Sequence, residues 1–240
     1  MSGEEPKLDL DRIVFIGRTF DEYMRMFDLL PEELAGRRIL DCPAGACSFT
    51  AKANTLGADV TAVDIAYYHT PAKLAQKGLQ DIEHAMHQLD KVQDNFVWEY
   101  FKSIDGLRKV RIEALTDSTQ DRTSVSNRYI PAVLPELPFR DQEFELTLSA
   151  HFLFMYGDRL DYDFHMQTLQ ELMRVTKEEI RIFPLVNLSS QRYEHLDPLI
   201  EYMVSQGWTA EEIKVPYEFQ KGANHMLRIR RMNAADHSGA

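Results

Sequence analysis

The chain is poor in cysteine: Cys42 and Cys47 are its only two. A disulfide framework is excluded by that count, and no histidine or carboxylate set stands at zinc-ligand spacing beside the pair. Both read as small buried side chains next to a ligand loop. Positive charge is also scarce, with 27 Lys and Arg against 38 Asp and Glu and a formal net charge of -11. Such a surface repels phosphate backbones and anionic membranes, which argues against nucleic acid as a partner. The densest basic cluster, Arg228, Arg230 and Arg231, ends a strand-like run and reads as a solvated face. No run approaches the roughly 20 apolar residues of a membrane span, and the acidic start has neither the basic nor the apolar region of a signal peptide. A cytoplasmic protein without a membrane partner is expected. The G-x-G-x-x-G loop of dinucleotide-binding folds is absent as well, which counts against a nicotinamide-dependent oxidoreductase.

What remains is a chain of 240 residues with 44% hydrophobic side chains, enough for one large domain with a substantial core. Phe20, Tyr23, Phe27 and Leu30 recur at helical spacing until Pro31. Arg38 to Asp41 predicts a strand, Phe49 to Leu56 a helix ending at Gly57, and Asp59 to Asp64 a second strand, together a right-handed parallel unit. Pro71 to Val92 predicts a helix with Leu79, Ile82, Met86 and Leu89 on one face, and Leu107 to Leu115 another. Tyr129 to Val133 suits an edge strand because it carries a proline. Phe144 to Ser149 and Ile180 to Leu185 are strands flanking a helix near Phe164 to Val175. Ile213 to Phe219 and His225 to Ile229 predict two antiparallel strands joined by a turn at Lys221-Gly222.

Alternating strands and helices closed by a hairpin predict an α/β fold: a Rossmann-like open sheet, mostly parallel, with helices on both faces and a C-terminal antiparallel hairpin. One domain spans residues 1–231, with a helical insertion at about 73–127 serving as a substrate lid and a flexible tail at 232–240.

In such sheets ligands sit beyond the carboxyl ends of the central strands. Three segments there carry chemistry. The loop Asp41-Cys42-Pro43-Ala44-Gly45-Ala46-Cys47-Ser48-Phe49 has small side chains, which let a ligand approach the backbone at a helix start. Asp64 ends the next strand, where an acid accepts hydrogen bonds from ribose hydroxyls; alone it is more often a helix cap, and with the first loop it makes a nucleoside-binding pair. The third is Leu137-Pro138-Phe139, an acidic spacer, Phe144-Glu145-Leu146 and the exit Ser149-Ala150-His151.

That third segment, read with the first loop and Asp64, resembles the class I S-adenosylmethionine-dependent methyltransferases of small molecules, over roughly Arg12 to Arg231. The resemblance implies that Asp41 and Gly45, with Pro43, Ala44 and Cys47 of the same loop, lie along the methionine portion of the cofactor. Pro43 and Cys47 stand where the family has glycines. It further implies ribose recognition by Asp64, adenine contact by Ile65, Val133 and Leu134, a place beside the cofactor for Ser149 and Ala150, and closure by the opening helix through Arg18 and Tyr23, of which Tyr23 is equally a core residue. The implied activity is methyl transfer to a small-molecule acceptor; a cofactor-binding sensor or scaffold is the alternative. His151 is the candidate base, with a buried structural histidine as the competing reading. Tyr68, His69, Tyr129 and Tyr156 are candidates for orienting an acceptor. His84 and His87 share a helical face at a spacing compatible with metal, but no acid or cysteine accompanies them, so no metal is expected.

Overall fold

The computed structural model describes residues 14–232 and forms one seven-stranded sheet in the order β3-β2-β1-β4-β5-β7-β6. The strands are β1 Arg38–Asp41, β2 Asp59–Asp64, β3 Tyr129–Pro131, β4 Phe144–Ala150, β5 Thr176–Phe183, β6 Trp208–Lys214 and β7 His225–Arg231. Pairing is parallel from β3 through β5, and β7 alone runs the other way, between β5 and β6. This is the mostly parallel open sheet with a C-terminal antiparallel hairpin that the sequence predicts, with the proline-containing β3 on an edge.

Six helices cover it: α1 Phe20–Met26, α2 Phe49–Thr55, α3 Pro71–Asp90, α4 Ile104–Ser124, α5 Tyr162–Val175 and α6 Leu196–Ser205. Because successive strand residues point to opposite faces, Ile39 packs with Tyr23, Phe27 and Phe49 under α1 and α2, while Leu40 packs with Leu169, Leu172 and Leu199 under α5 and α6. Burying both faces leaves the polar Thr147 and Ser149 of β4 as buried as its apolar residues. Buried Arg181 on β5 fastens α1 to the sheet: its guanidinium donates to the carbonyl oxygens of Phe27 and Asp28, past the helix's last turn, at 2.5 and 3.2 Å, and pairs with Glu179 and Glu33.

Several boundaries differ from expectation. Helix α4 extends well beyond 107–115 at both ends, its start fixed by the Ser103 cap. On α3 the buried face is Leu74, Gly78, Ile82, Ala85, Met86 and Leu89, and Leu79 is exposed. Gly78 is where α3 meets α4, since a Cβ there would stand 2.6 Å from Leu115. The hairpin pairs Trp208–Lys214 with His225–Arg231, so the strand predicted at Ile213 to Phe219 overlaps β6 only at its start; Val215, Tyr217 and Phe219 alternate like a strand but turn inward. Helix α6 was not anticipated. The basic cluster is satisfied internally: Arg228 and Arg230 pair with Glu179, and Arg231 lies over the Trp208 ring and donates to the Met173, Thr176 and Lys177 carbonyls. Arg12 and residues 233–240 of the expected tail lie outside the described residues.

Candidate functional site

The strand order reverses between β1 and β4, and at such a switch point the chains leaving neighbouring strands diverge and open a crevice. A cleft lies there, bounded by the loop after β1, the segment after β4 and helices α3 and α4 above. Its empty volume is about 1080 Å³ with its open mouth included.

The floor is the small-residue loop. Gly45 sits at φ +55°, a conformation that costs other residues a steric penalty, and its N–H donates to Asp64 Oδ2 at 2.9 Å while its carbonyl accepts from the Tyr67 hydroxyl at 2.9 Å. Asp64 Oδ1 accepts from Ala66 N at 2.8 Å, so the carboxylate caps the turn after β2 and still reaches the cleft. Burial raises its pKa, and the two backbone donors partly offset the shift.

Across the loop runs residues 14–18. Val14, Ile16 and Arg18 line the cleft at alternate positions, as an extended segment requires. Gly17 lies so close to the loop that a Cβ would overlap the Ala46 carbonyl. Asp81 of α3 accepts from Phe15 N at 2.8 Å, Cys47 Sγ accepts from Arg18 N at 3.2 Å, and the Arg18 carbonyl accepts from Ser48 N at 3.0 Å, holding the segment at both ends.

The cationic side of the cleft contains Arg18 and Arg111. Arg111 is paired with Glu22 through two contacts of 2.6 and 2.9 Å, and Glu22 also accepts from the Tyr217 hydroxyl at 2.7 Å and from Thr19. Burial alone would raise the Glu22 pKa, but Arg111 pulls it below the ordinary range. Arg18 has no such partner among the described residues. Its Nε is buried without an acceptor and Nη1 reaches only the Gly17 carbonyl at 3.4 Å. Burial and the charge of Arg111 lower its pKa.

His151 follows β4 at φ +53°, an uncommon conformation for a side-chain-bearing residue, with its N–H donated to the Phe183 carbonyl at 2.6 Å. That backbone turn sends the imidazole into the cleft, where Nδ1 is buried without a hydrogen-bond partner. Burial, then Arg18 and Arg111, hold its pKa well below the usual imidazole range, so the ring is neutral at physiological pH.

Of the residues nominated from sequence, Arg18, Pro43, Ala44, Gly45, Cys47, Asp64, Ala150 and His151 meet on this cleft. Asp41 and Tyr23 lie beneath it: Asp41 is fully buried, accepting from the Tyr23 hydroxyl at 2.9 Å and the Thr50 hydroxyl at 3.3 Å, and Tyr23 stacks on Phe49 within the core. Ser149 is buried in β4. Ile65, Val133 and Leu134 are also outside the cleft lining, yet Ile65 and Val133 are 60% and 50% exposed past the ends of β2 and β3. Of the three nominated tyrosines, Tyr156 lines the cleft, Tyr68 is exposed, and the Tyr129 hydroxyl is bound to Asp121 at 2.7 Å. His69 lends its carbonyl to Arg122. Among the described residues, no group of three or more His, Cys, Asp or Glu is placed to hold a metal, and His84 and His87 belong to no such group.

The remaining walls come from the segment expected as a lid, though without residues nominated in it, and from the β6–β7 connection, which was not expected at the site. Met86, Leu89, Phe96, Leu107 and Arg111 come from the 73–127 segment, and Tyr217, Phe219 and Gln220 from the β6–β7 connection. The Phe96 and Phe219 rings lie 4.8 Å apart, tilted by 35°, joining these two distant segments. The inward alternation of Tyr217 and Phe219 was the available signal, though it is shared with strands.

No protein-family model matches the chain. The chain is 37% identical over 225 residues to uncharacterized protein MJ0045 of Methanocaldococcus jannaschii, covering 93% of this chain and 99% of that one. Among solved structures, a putative RNA methyltransferase, PH1948, from Pyrococcus horikoshii is similar at TM-score 0.49 and 10% identity, over 89% of this chain and 85% of that one. N-methyltransferase NodS from Bradyrhizobium japonicum WM9, in complex with S-adenosyl-L-homocysteine, is similar at 0.48 and 10%, over 89% and 86%. Magnesium protoporphyrin IX methyltransferase from Synechocystis PCC 6803 with bound SAM is similar at 0.47 and 10%, over 83% and 72%. At these identities the chemistry has to be read from the cleft.

Proposed function

The chain belongs to the same family as the M. jannaschii protein, and from its cleft we propose that it binds S-adenosylmethionine and transfers the methyl group to a small-molecule acceptor. The observation that carries this reading is the pair of charged groups flanking one small-residue loop. Asp64 beside Gly45 is an acceptor suited to ribose hydroxyls, and Arg18, next to the loop at Cys47, is a guanidinium whose Nε has no acceptor and which has no ion-pair partner among the described residues, suited to an amino acid carboxylate. A nucleoside joined to an amino acid fits both.

In this reading Pro43, Ala44, Gly45 and Cys47 admit the methionine portion close to the backbone. Ile65, Val133 and Leu134 flank the adenine, whose apolar faces cover side chains otherwise exposed. Ala150 lets the reacting centre approach β4, with Ser149 supporting from within the strand. Asp41 and Tyr23 act from beneath the loop by fixing its entry. The segment at 73–127 supplies the roof that excludes water from the transfer.

The cofactor supplies an activated methyl on a sulfonium, so the protein's tasks are alignment and removal of the acceptor's proton. His151 suits the second, being neutral and having a nitrogen without a partner in the cleft. A positioned base of this kind contributes on the order of 100- to 10,000-fold.

Thermal denaturation with ligands tests the reading. S-adenosylmethionine and S-adenosylhomocysteine are expected to raise the Tm while NAD does not, and labelled cofactor is expected to release its methyl to an acceptor from a small-molecule panel. Stabilisation by NAD alone would replace the reading with an oxidoreductase. Cofactor binding with no transfer to any acceptor would favour a sensor.

A further inference from the structure

The acceptor's chemistry follows from the charge left over in the cleft, on the premise that the cofactor is S-adenosylmethionine. Arg111 is neutralised by Glu22, and Glu22 is saturated by Arg111, Tyr217 and Thr19, so it has little left for Arg18. Arg18 and Asp64 are the remaining charged groups of the lining, one of each sign. The bound cofactor adds one carboxylate, one ammonium and one sulfonium, leaving the occupied cleft with one net positive charge.

Charge in a buried site is expensive unless paired. An amine acceptor entering as its cation would double the excess, whereas an acceptor that enters or reacts as an anion cancels it. The cleft is mostly apolar and carries the rings of Phe96, Phe152, Phe183, Tyr217 and Phe219, with Phe183 5.3 Å from the His151 ring, which suits a flat aromatic body. His151 Nδ1 is buried and unpartnered, and a hydroxyl proton would satisfy it as a carboxylate would not.

We propose that the acceptor is a phenol, methylated on oxygen. The phenolic O–H gives its proton to the unprotonated nitrogen of His151, the oxygen lone pair forms a bond to the methyl carbon, and the carbon–sulfur bond breaks with its electron pair going to sulfur. The products are an aryl methyl ether, a thioether and an imidazolium that returns its proton to water. The positive surroundings that make His151 a weak base also make the phenol a stronger acid, so the transfer is matched at both ends.

The test uses the intact protein saturated with a cofactor analogue that carries an ammonium in place of the sulfonium, so that the charge of the occupied cleft is kept, and two bicyclic probes, 2-naphthol and 2-naphthylmethylamine, titrated by calorimetry. 2-Naphthol is expected to bind at least about tenfold tighter, a difference of about 1.4 kcal/mol, and to tighten further as pH rises and it ionises. With labelled S-adenosylmethionine, 2-naphthol is expected to accept the methyl group and the amine is not. His151→Asn is expected to slow that transfer about 100-fold at pH 7, with naphthol binding retained and the loss shrinking at alkaline pH. Equal or tighter binding of the amine, binding of neither probe, or a His151→Asn loss independent of pH would overturn the proposal. Failure of both that analogue and S-adenosylhomocysteine to bind is a different result, and refutes the cofactor reading instead.

Discussion

Asp41 should make the protein lose stability as pH rises toward neutrality. Its carboxyl is fully buried, and burial lifts its pKa from 3.8 to about 7, against the opposing hydrogen bonds from Tyr23 and Thr50 and with help from the charge of Asp64. Between those two values the folded chain holds a proton that the unfolded chain has released. The stabilisation from keeping Asp41 protonated is therefore complete below about pH 4 and disappears as pH rises through 7. Each pH unit of displacement is worth about 1.4 kcal/mol, so the full effect is on the order of 4 kcal/mol. Asp41→Asn keeps an acceptor for the Tyr23 hydroxyl and cannot ionise. Urea denaturation of both proteins at pH 5, 6, 7 and 8 should show wild type losing stability relative to Asp41→Asn by several kcal/mol, with unchanged m values. A constant difference across this range, or wild type gaining relative stability, would refute the buried-carboxyl account.

Glu22→Gln leaves Arg111 buried without its counter-charge and should cost about 3 to 5 kcal/mol, read as a fall in the denaturation midpoint. Gly17→Ala drives a methyl group into the Ala46 carbonyl; a loss of about 1 to 3 kcal/mol, with weakened ligand binding, is expected from thermal melts and titration. Arg18→Gln removes a partly buried charge that has no ion-pair partner among the described residues, so its Tm should hold or rise while affinity for S-adenosylhomocysteine falls by about 1.5 to 3 kcal/mol.

How legible the fold was depended on what each residue packs against. Strands β1 and β2 were placed to the residue because each follows a turn glycine, Gly36 and Gly57, and the acid at the end of each marks where the strand stops. Tyr217 and Phe219 follow the same alternation but face a cleft, which a local pattern does not distinguish from a sheet. Helix α6 carries Leu196, Leu199 and Met203 at helical spacing, with Pro198 in its first turn, a place where proline is tolerated; the signal was present but interrupted. Within the site, the loop and Asp64 were readable because a turn between strand and helix has few uses for several small residues and an acid. The Glu22–Arg111–Tyr217 cluster was not readable: its members are 89 and 195 residues apart from Glu22, and only the tertiary fold brings them together.

Calorimetric titration of the purified protein with S-adenosylmethionine and S-adenosylhomocysteine, beside Asp64→Ala, tests the central claim most directly. The account predicts micromolar binding of both, weakened in Asp64→Ala by about 1 to 3 kcal/mol. No detectable binding of either ligand by folded wild-type protein, or affinity unchanged in Asp64→Ala, would contradict it.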